Sequence, residues 1–271
     1  ATCDQSWCTV TPAGSGDGSI IATFTANSLT TSRVANISVS VFGLPPVVVT
    51  VTQAASPFLL SARNVKQTAP NKLEFDVYLL DVDDTTPFEM ASMQLGFMMN
   101  NGIYTGGSLT VTYNNSGSGL LTSQQFSAPV SFVQNPAGYP GQTLIRLAGK
   151  TPQGTGNGTI ISTSGDGTLI THFILTSSVP FADNSQANLT FTANTATTPL
   201  YGTKVAQYIS GINTQLPVTP GNNAIFTGNP VLNGPPQLAV TPPSQNVGVL
   251  AGAVDYTVFS NATWNAISDQ P

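Results

Sequence analysis

The chain has 271 residues, a formal net charge of −5 and only 7% charged residues, against about 25% in an ordinary globular protein. Seven Lys plus Arg, scattered along the chain, cannot form a phosphate-binding stripe, which excludes a nucleic-acid partner. No run approaches the roughly 18 apolar residues of a membrane helix, yet apolar residues reach 40%, which excludes disorder.

The length predicts two domains or one large β-domain. With no initiator Met, signal peptide or lipidation motif, the chain reads as a processed product or a slice of something longer. Period-2 alternation appears almost everywhere, and no segment reads as a helix. In 19–26, Ile20, Ala22, Phe24 and Ala26 share a face. In 33–42, Ala35, Ile37, Val39 and Val41 point one way and Asn36, Ser38 and Ser40 the other. In 47–53, Val47, Val49 and Val51 face one way. Gly43-Leu44-Pro45-Pro46 separates these last two strands and reads as a hairpin connection, because Pro cannot extend a central ladder. Residues 1–56 thus carry too few strands to be stable alone.

After Ser56-Pro57 the texture changes. Leu73, Phe75, Val77 and Leu79 share a face, as do Met93, Leu95, Phe97 and Met99. The runs SLTVTY, APVSFV, TLIRLA, GTIIST, TLITHFIL, ANLTFTA and TKVAQYI follow, separated by Gly, Asn and Pro turns. Such spacing predicts a two-sheet sandwich of jelly-roll type. Asn233-Gly-Pro-Pro-Gln237 reads as a linker. Two more strands follow, one carrying Leu238 and Val240, the other Val254, Tyr256 and Val258, and then Trp264.

The two ends of the chain are related. Ala266-Ile-Ser-Asp-Gln270 repeats Ala1-Thr-Cys-Asp-Gln5, with Ala, Asp and Gln in register. Around this pentad, LAVTPPSQNVG, AGAVDYTV, SNATW and AISDQ in 237–271 resemble the first half of a BACON domain. This is an immunoglobulin-like sandwich of surface and secreted proteins of Bacteroidota. DQSWCTVTPAGSGDGSI, ATFTANSLTTSRVANISVSV and VVVTVTQAA in 1–56 resemble its second half. The middle, through NKLEFDVYLLDVDDTTPFEMASMQLGF, GNGTIISTSGDGT and ANLTF, is similar to the cohesin-like sandwiches of large type IX-secreted proteins of the same bacteria.

The resemblance implies a three-part chain: 1–56 as the second half of a BACON domain, 57–236 as a cohesin-like β-sandwich, and 237–271 as a first half. The repeated pentad implies one period of a tandem array, cut inside a domain. Each half would leave unpaired strand edges and an uncovered apolar face. These are completed by a covalent neighbour, by a separate chain head-to-tail, or within one chain if the two ends of the middle domain lie close together. The joined core would be built from Trp7, Ile37, Val39, Val49, Val51, Tyr256, Val258 and Trp264.

Chemistry-bearing residues are sparse. His172 sits mid-strand with no acid nearby in sequence, and reads as structural. Glu74 and Asp76 share a strand face and read as a solvated edge rather than a glycosidase pair. No nucleophile elbow, P-loop or zincin helix motif occurs. Asp81, Asp83, Asp84 and Glu89 supply hard oxygens within nine residues and are candidate calcium ligands; the competing reading is an acidic strand-end turn. Asp84-Thr85-Thr86 resembles the short O-glycosylation motif of Bacteroidota, making Thr85 a candidate site. Five Asn-x-Ser/Thr sequons, at Asn36, Asn114, Asn157, Asn188 and Asn261, are expected by chance in so Asn- and Thr-rich a chain. Tyr104, Tyr139 and Tyr201 are loop-like aromatics that a glycan-binding surface would use. Cys3 and Cys8 are too few for a disulfide framework and a poor zinc site. A local disulfide would need a turn at Asp4-Gln5-Ser6; the other reading is two thiols in or near a core.

The reading is therefore an all-β, non-enzymatic, extracellular or cell-surface protein. It is a structural repeat of a filament or giant adhesin, joined to copies of itself head-to-tail. The alternative is a glycan-binding module.

Overall fold

In a computed structural model the chain is described except at residues 12, 15–16, 84, 194–201, 236–237, 247–252, 261–262 and 269–271. Alternation decides the architecture. Among the described residues the regular structure is strands and one 3-10 turn, Asn101–Tyr104.

The first strands are β1 (Thr2–Cys3), β2 (Cys8–Val10), β3 (Ala22–Phe24), β4 (Arg33–Val39) and β5 (Val47–Gln53). They form a three-stranded sheet β1-β4-β5 and a β2-β3 hairpin. The expected hairpin at Gly43–Pro46 is there, with β4 antiparallel to β5 and Leu44 N–H donating to Val41 O at 3.1 Å.

Then come β6 (Phe58–Ala69), β7 (Lys72–Asp81), β8 (Glu89–Asn100), β9 (Leu109–Asn114), β10 (Ser131–Gln134), β11 (Gln142–Leu147) and β12 (Thr159–Ile160). They are followed by β13 (Thr168–Ser177), β14 (Ser185–Gln186), β15 (Thr190–Phe191), β16 (Lys204–Ile209), β17 (Ile212–Leu216), β18 (Ala224–Phe226) and β19 (Val231–Leu232). One sheet has the order β18-β6-β7-β13-β9; the other runs β10-β11-β8-β16-β17, with β12 and β15 also on β8. The predicted faces are the inner ones. Leu73, Phe75, Val77 and Leu79 have no exposure, and Leu95, Phe97 and Met99 match them from the other sheet. Phe75 and Phe173 stack at 5.2 Å, and Phe97 meets each edge-on, at 5.3 and 5.1 Å. These rings lock sheet to sheet, at about 0.5–1.5 kcal/mol per pair beyond area burial.

The remaining strands, β20 (Leu238–Thr241) and β21 (Thr257–Ser260), pair with each other and, among the described residues, with no other strand.

The core divides in two. The large cluster draws wholly on residues between Phe58 and Leu232. The small one is Cys8, Ala35 and Ile37, with Ala1, Cys3, Trp7, Val10, Ala22, Val39 and Val51 packed against it.

The two flanking segments attach at opposite ends of β6. At its start, Ser56 Oγ lies 3.0 Å from Asn223 Nδ2, and Asn223 O accepts Leu60 N–H at 2.8 Å. Asn222 Nδ2 reaches Ser28 Oγ, and Leu29 O accepts Ser56 N–H. Near its far end, Gln67 Nε2 donates to Asn233 O at 2.7 Å, and Asn233 N–H donates back to Gln67 Oε1 at 2.9 Å. From Phe58 to Gln67 is roughly 30 Å at about 3.3 Å per strand residue. The chain therefore enters the sandwich at one end and leaves it at the other.

Candidate functional site

The sheet β1-β4-β5 builds the most unusual surface of the molecule. Antiparallel register sets Ile37 opposite Val49, Val39 opposite Val47 and Ala35 opposite Val51. Directly paired residues share a face, so these six and Cys3, opposite Ile37, form one apolar face. The β2-β3 hairpin covers only part of it. Cys8 closes over Ala35 and Ile37, whereas Val47 stays 66% exposed and Val49 51%. Among the described residues β5 is also an edge strand, with no partner on its far side.

Local polar contacts fix this half-covered face rather than fill it. Arg33 lies 4.3 Å from the Trp7 ring centroid and donates to Gln53 Oε1 and to the carbonyls of Thr25 and Ala26, tying the β2-β3 hairpin to β4 and β5. Asp4 accepts the backbone and side-chain N–H groups of Asn36, at 2.8 and 3.0 Å, and Asn36 Oδ1 accepts the Thr50 hydroxyl. The Asn36 amide hydrogen bond, above all, holds the Asp4 carboxyl below its ordinary value.

The β20-β21 hairpin is the converse, apolar strands that join no larger sheet among the described residues. Val240 pairs with Val258, and Leu238, Val240, Tyr256, Phe259 and Trp264 are all exposed, Trp264 at 55%. An isolated two-stranded hairpin is marginal in water. The residues expected in a joined core thus split by location. Trp7, Ile37, Val39 and Val51 gather in the small cluster, Val49 borders it, and Tyr256, Val258 and Trp264 lie apart from it. Within one chain they do not form a common core. The roughly 30 Å between attachment points explains why.

The carboxylates of the acidic loop accept hydrogen bonds from the chain around them. Asp81 is buried; its Oδ1 accepts Asp83 N–H at 3.0 Å and its Oδ2 accepts Phe88 N–H at 2.9 Å. Asp83 accepts the hydroxyl and amide of Thr85, which hold its carboxyl below the usual range. Glu89 Oε1 accepts Gly158 N–H at 2.9 Å. These carboxylates satisfy turn amides instead of converging, and among the described residues no three His, Cys, Asp or Glu side chains form a metal-holding group. Of the four expected calcium ligands, Asp81, Asp83 and Glu89 each accept backbone N–H groups. Asp84 lies outside the described residues. Thr85 is exposed.

Two of the three candidate tyrosines lie among the described residues. Tyr104 is buried, its hydroxyl 2.7 Å from Thr143 Oγ1, so its ring is core and cannot stack on a sugar. Tyr139 is exposed, and Tyr201 lies outside the described residues.

One cluster was not visible in the sequence. Across the β7–β13 pair, His172 lies opposite Asp76. His172 Nδ1 is 2.7 Å from Asp76 Oδ1, and Nε2 is 3.3 Å from Glu74 Oε2. Thr68 Oγ1 donates to Glu74 at 2.8 Å, which first, with His172, holds the Glu74 carboxyl below its ordinary value. Asn64 caps Asp76 Oδ2. The group is a polar clasp across three strands. Only the strand register reveals it, because His172 has no acidic neighbour in sequence.

Comparison with known proteins bears on the first segment. Residues 1–56 match the family described as viral BACON domain. No curated protein matches the chain. Among solved structures, the chain is similar to the second type II cohesin module from the adaptor scaffoldin ScaA of Acetivibrio cellulolyticus. The two are 11% identical, the match covers 66% of this chain and 90% of that one, and the TM-score is 0.29. A likeness at that score carries none of the argument. Among the described residues no helix is long and apolar enough to cross a membrane.

Proposed function

We propose that the chain is a structural, self-associating module of an extracellular appendage. Residues 57–236 form a rigid β-sandwich spacer. Residues 237–271 of one unit complete the half-domain formed by residues 1–56 of the next, giving one immunoglobulin-like sandwich at each joint.

The observation that carries this reading is the placement of the two flanking segments. They leave opposite ends of β6, roughly 30 Å apart, one offering a half-covered apolar face and the other a hairpin of exposed apolar side chains. Closure within a chain would need those ends together. Completion between neighbours needs them apart, and it propagates as a heterologous contact. The repeated pentad, Ala1–Gln5 and Ala266–Gln270, marks the seam. The matched family is described as viral, which favours a virion appendage beside the cell-surface filament implied by the bacterial resemblance.

Sedimentation velocity of the 271-residue chain over a wide concentration range tests this. The expected result is an open-ended series of species that grows with concentration. A monomer at every concentration, or a closed dimer and nothing larger, overturns it.

A further inference from the structure

Cys3 ends β1 and Cys8 opens β2. Between them Gln5 O accepts Cys8 N–H at 3.2 Å, closing the tight turn that a C-x4-C pair needs in order to meet. Asp4 N–H donates to Asn36 O at 3.1 Å and pins the turn to β4. Cys3 lies opposite Ile37, and Cys8 is buried in the same small cluster as Ile37, with Cys3 packed against it. Both cysteines are free thiols, Cys3 partly exposed and Cys8 buried.

We infer that Cys3 and Cys8 form an intramolecular disulfide when the chain meets an oxidant of the glutathione-disulfide class, stapling β1 to β2. The chemistry balances in two exchanges. The partly exposed Cys3, as thiolate, attacks one sulfur of glutathione disulfide; that S–S bond breaks and one glutathione thiolate leaves. Cys8, once deprotonated, attacks Cys3 Sγ and expels the second glutathione thiolate. The two protein thiols lose two electrons and two protons, and the oxidant becomes two glutathione thiols. Burial first, and the Cys3 thiol next, push the Cys8 thiol up to about 11. The closing step therefore quickens about tenfold per pH unit in the neutral range. The staple does not depend on the assembly reading. Residues 1–56 bury too small a cluster to hold themselves firmly, and a local cross-link compensates for a thin core.

The test is equilibration of the full chain in glutathione redox buffers, read by intact mass and thiol alkylation, in buffer and in urea. The expected product has lost two hydrogens and carries no glutathione. Its effective concentration in the native chain exceeds that in urea by about 40-fold, the loop-entropy value for a six-residue closure. Two free thiols, persistent mixed disulfides, intermolecular dimers, or equal values in buffer and urea overturn the inference. Because the readout is the unsubstituted chain, no variant has to fold. As a second measurement, Cys8→Ser should stop at a single glutathione on Cys3.

Discussion

Val49→Asp and Val48→Asp place the same charge on adjacent residues of β5, but on opposite faces of the sheet. In the chain as described, Val49 is 51% and Val48 56% exposed, so either change costs the isolated unit little, within about 0.5 kcal/mol. Assembly separates them. Completing the half-domain covers the face that carries Val47, Val49 and Ile37, and leaves the Val48 face outside. For Val49→Asp the lost burial of the remaining exposed half of a valine is about 1 kcal/mol. An unpaired carboxylate sealed under the new layer adds about 3 kcal/mol. The sum, about 4 kcal/mol, weakens association roughly 1,000-fold. Sedimentation velocity with tryptophan fluorescence checks it, because the proposed joint would bury Trp7 and Trp264. Equal effects of the two substitutions, or an unimpaired Val49→Asp chain, would refute the assignment of that face.

Three further outcomes follow from the sandwich itself. Phe173→Ala removes a ring that contacts Phe75, Phe97 and Tyr113, and should cost about 3–5 kcal/mol in thermal or urea unfolding. Asp81→Ala strands the amides of Asp83 and Phe88 and should cost about 1–3 kcal/mol, while added calcium leaves the melting temperature unchanged. Glu74 has a depressed carboxyl in the folded state. Its contribution is therefore complete above the ordinary value of 4.5 and is lost as pH falls through the lower folded value. Glu74→Gln should be less stable than the parent at neutral pH, and the gap should close on acidification in pH-dependent melts.

What the sequence disclosed follows from how local each signal is. The inner faces of β7 and β8 are legible because two strands of 10 and 12 residues alternate cleanly enough to show period 2. β6, equally long, is not, since Asn64 adopts a positive φ and the register slips between Arg63 and Lys66, breaking the alternation midway. The short strands β14, β17 and β19 offer two to five residues each, too few for a pattern. Sites depend on non-local pairing. The His172 clasp exists only because β13 and β7 align at Asp76, and Tyr104, loop-like by its neighbours, is buried through its bond to Thr143. The sequence implies an uncovered apolar face on residues 1–56 but does not place it at Val47 and Val49. Only the extent of the β2-β3 hairpin places it there.

Complementation between two damaged units tests head-to-tail completion most directly. A chain ending at residue 236 keeps the acceptor face and lacks the donor segment, and a Val49→Asp chain keeps the donor and has a spoiled acceptor. Each should be monomeric alone, and an equimolar mixture should yield a one-to-one dimer that grows no further. No association on mixing, or growth beyond the dimer, would contradict the account.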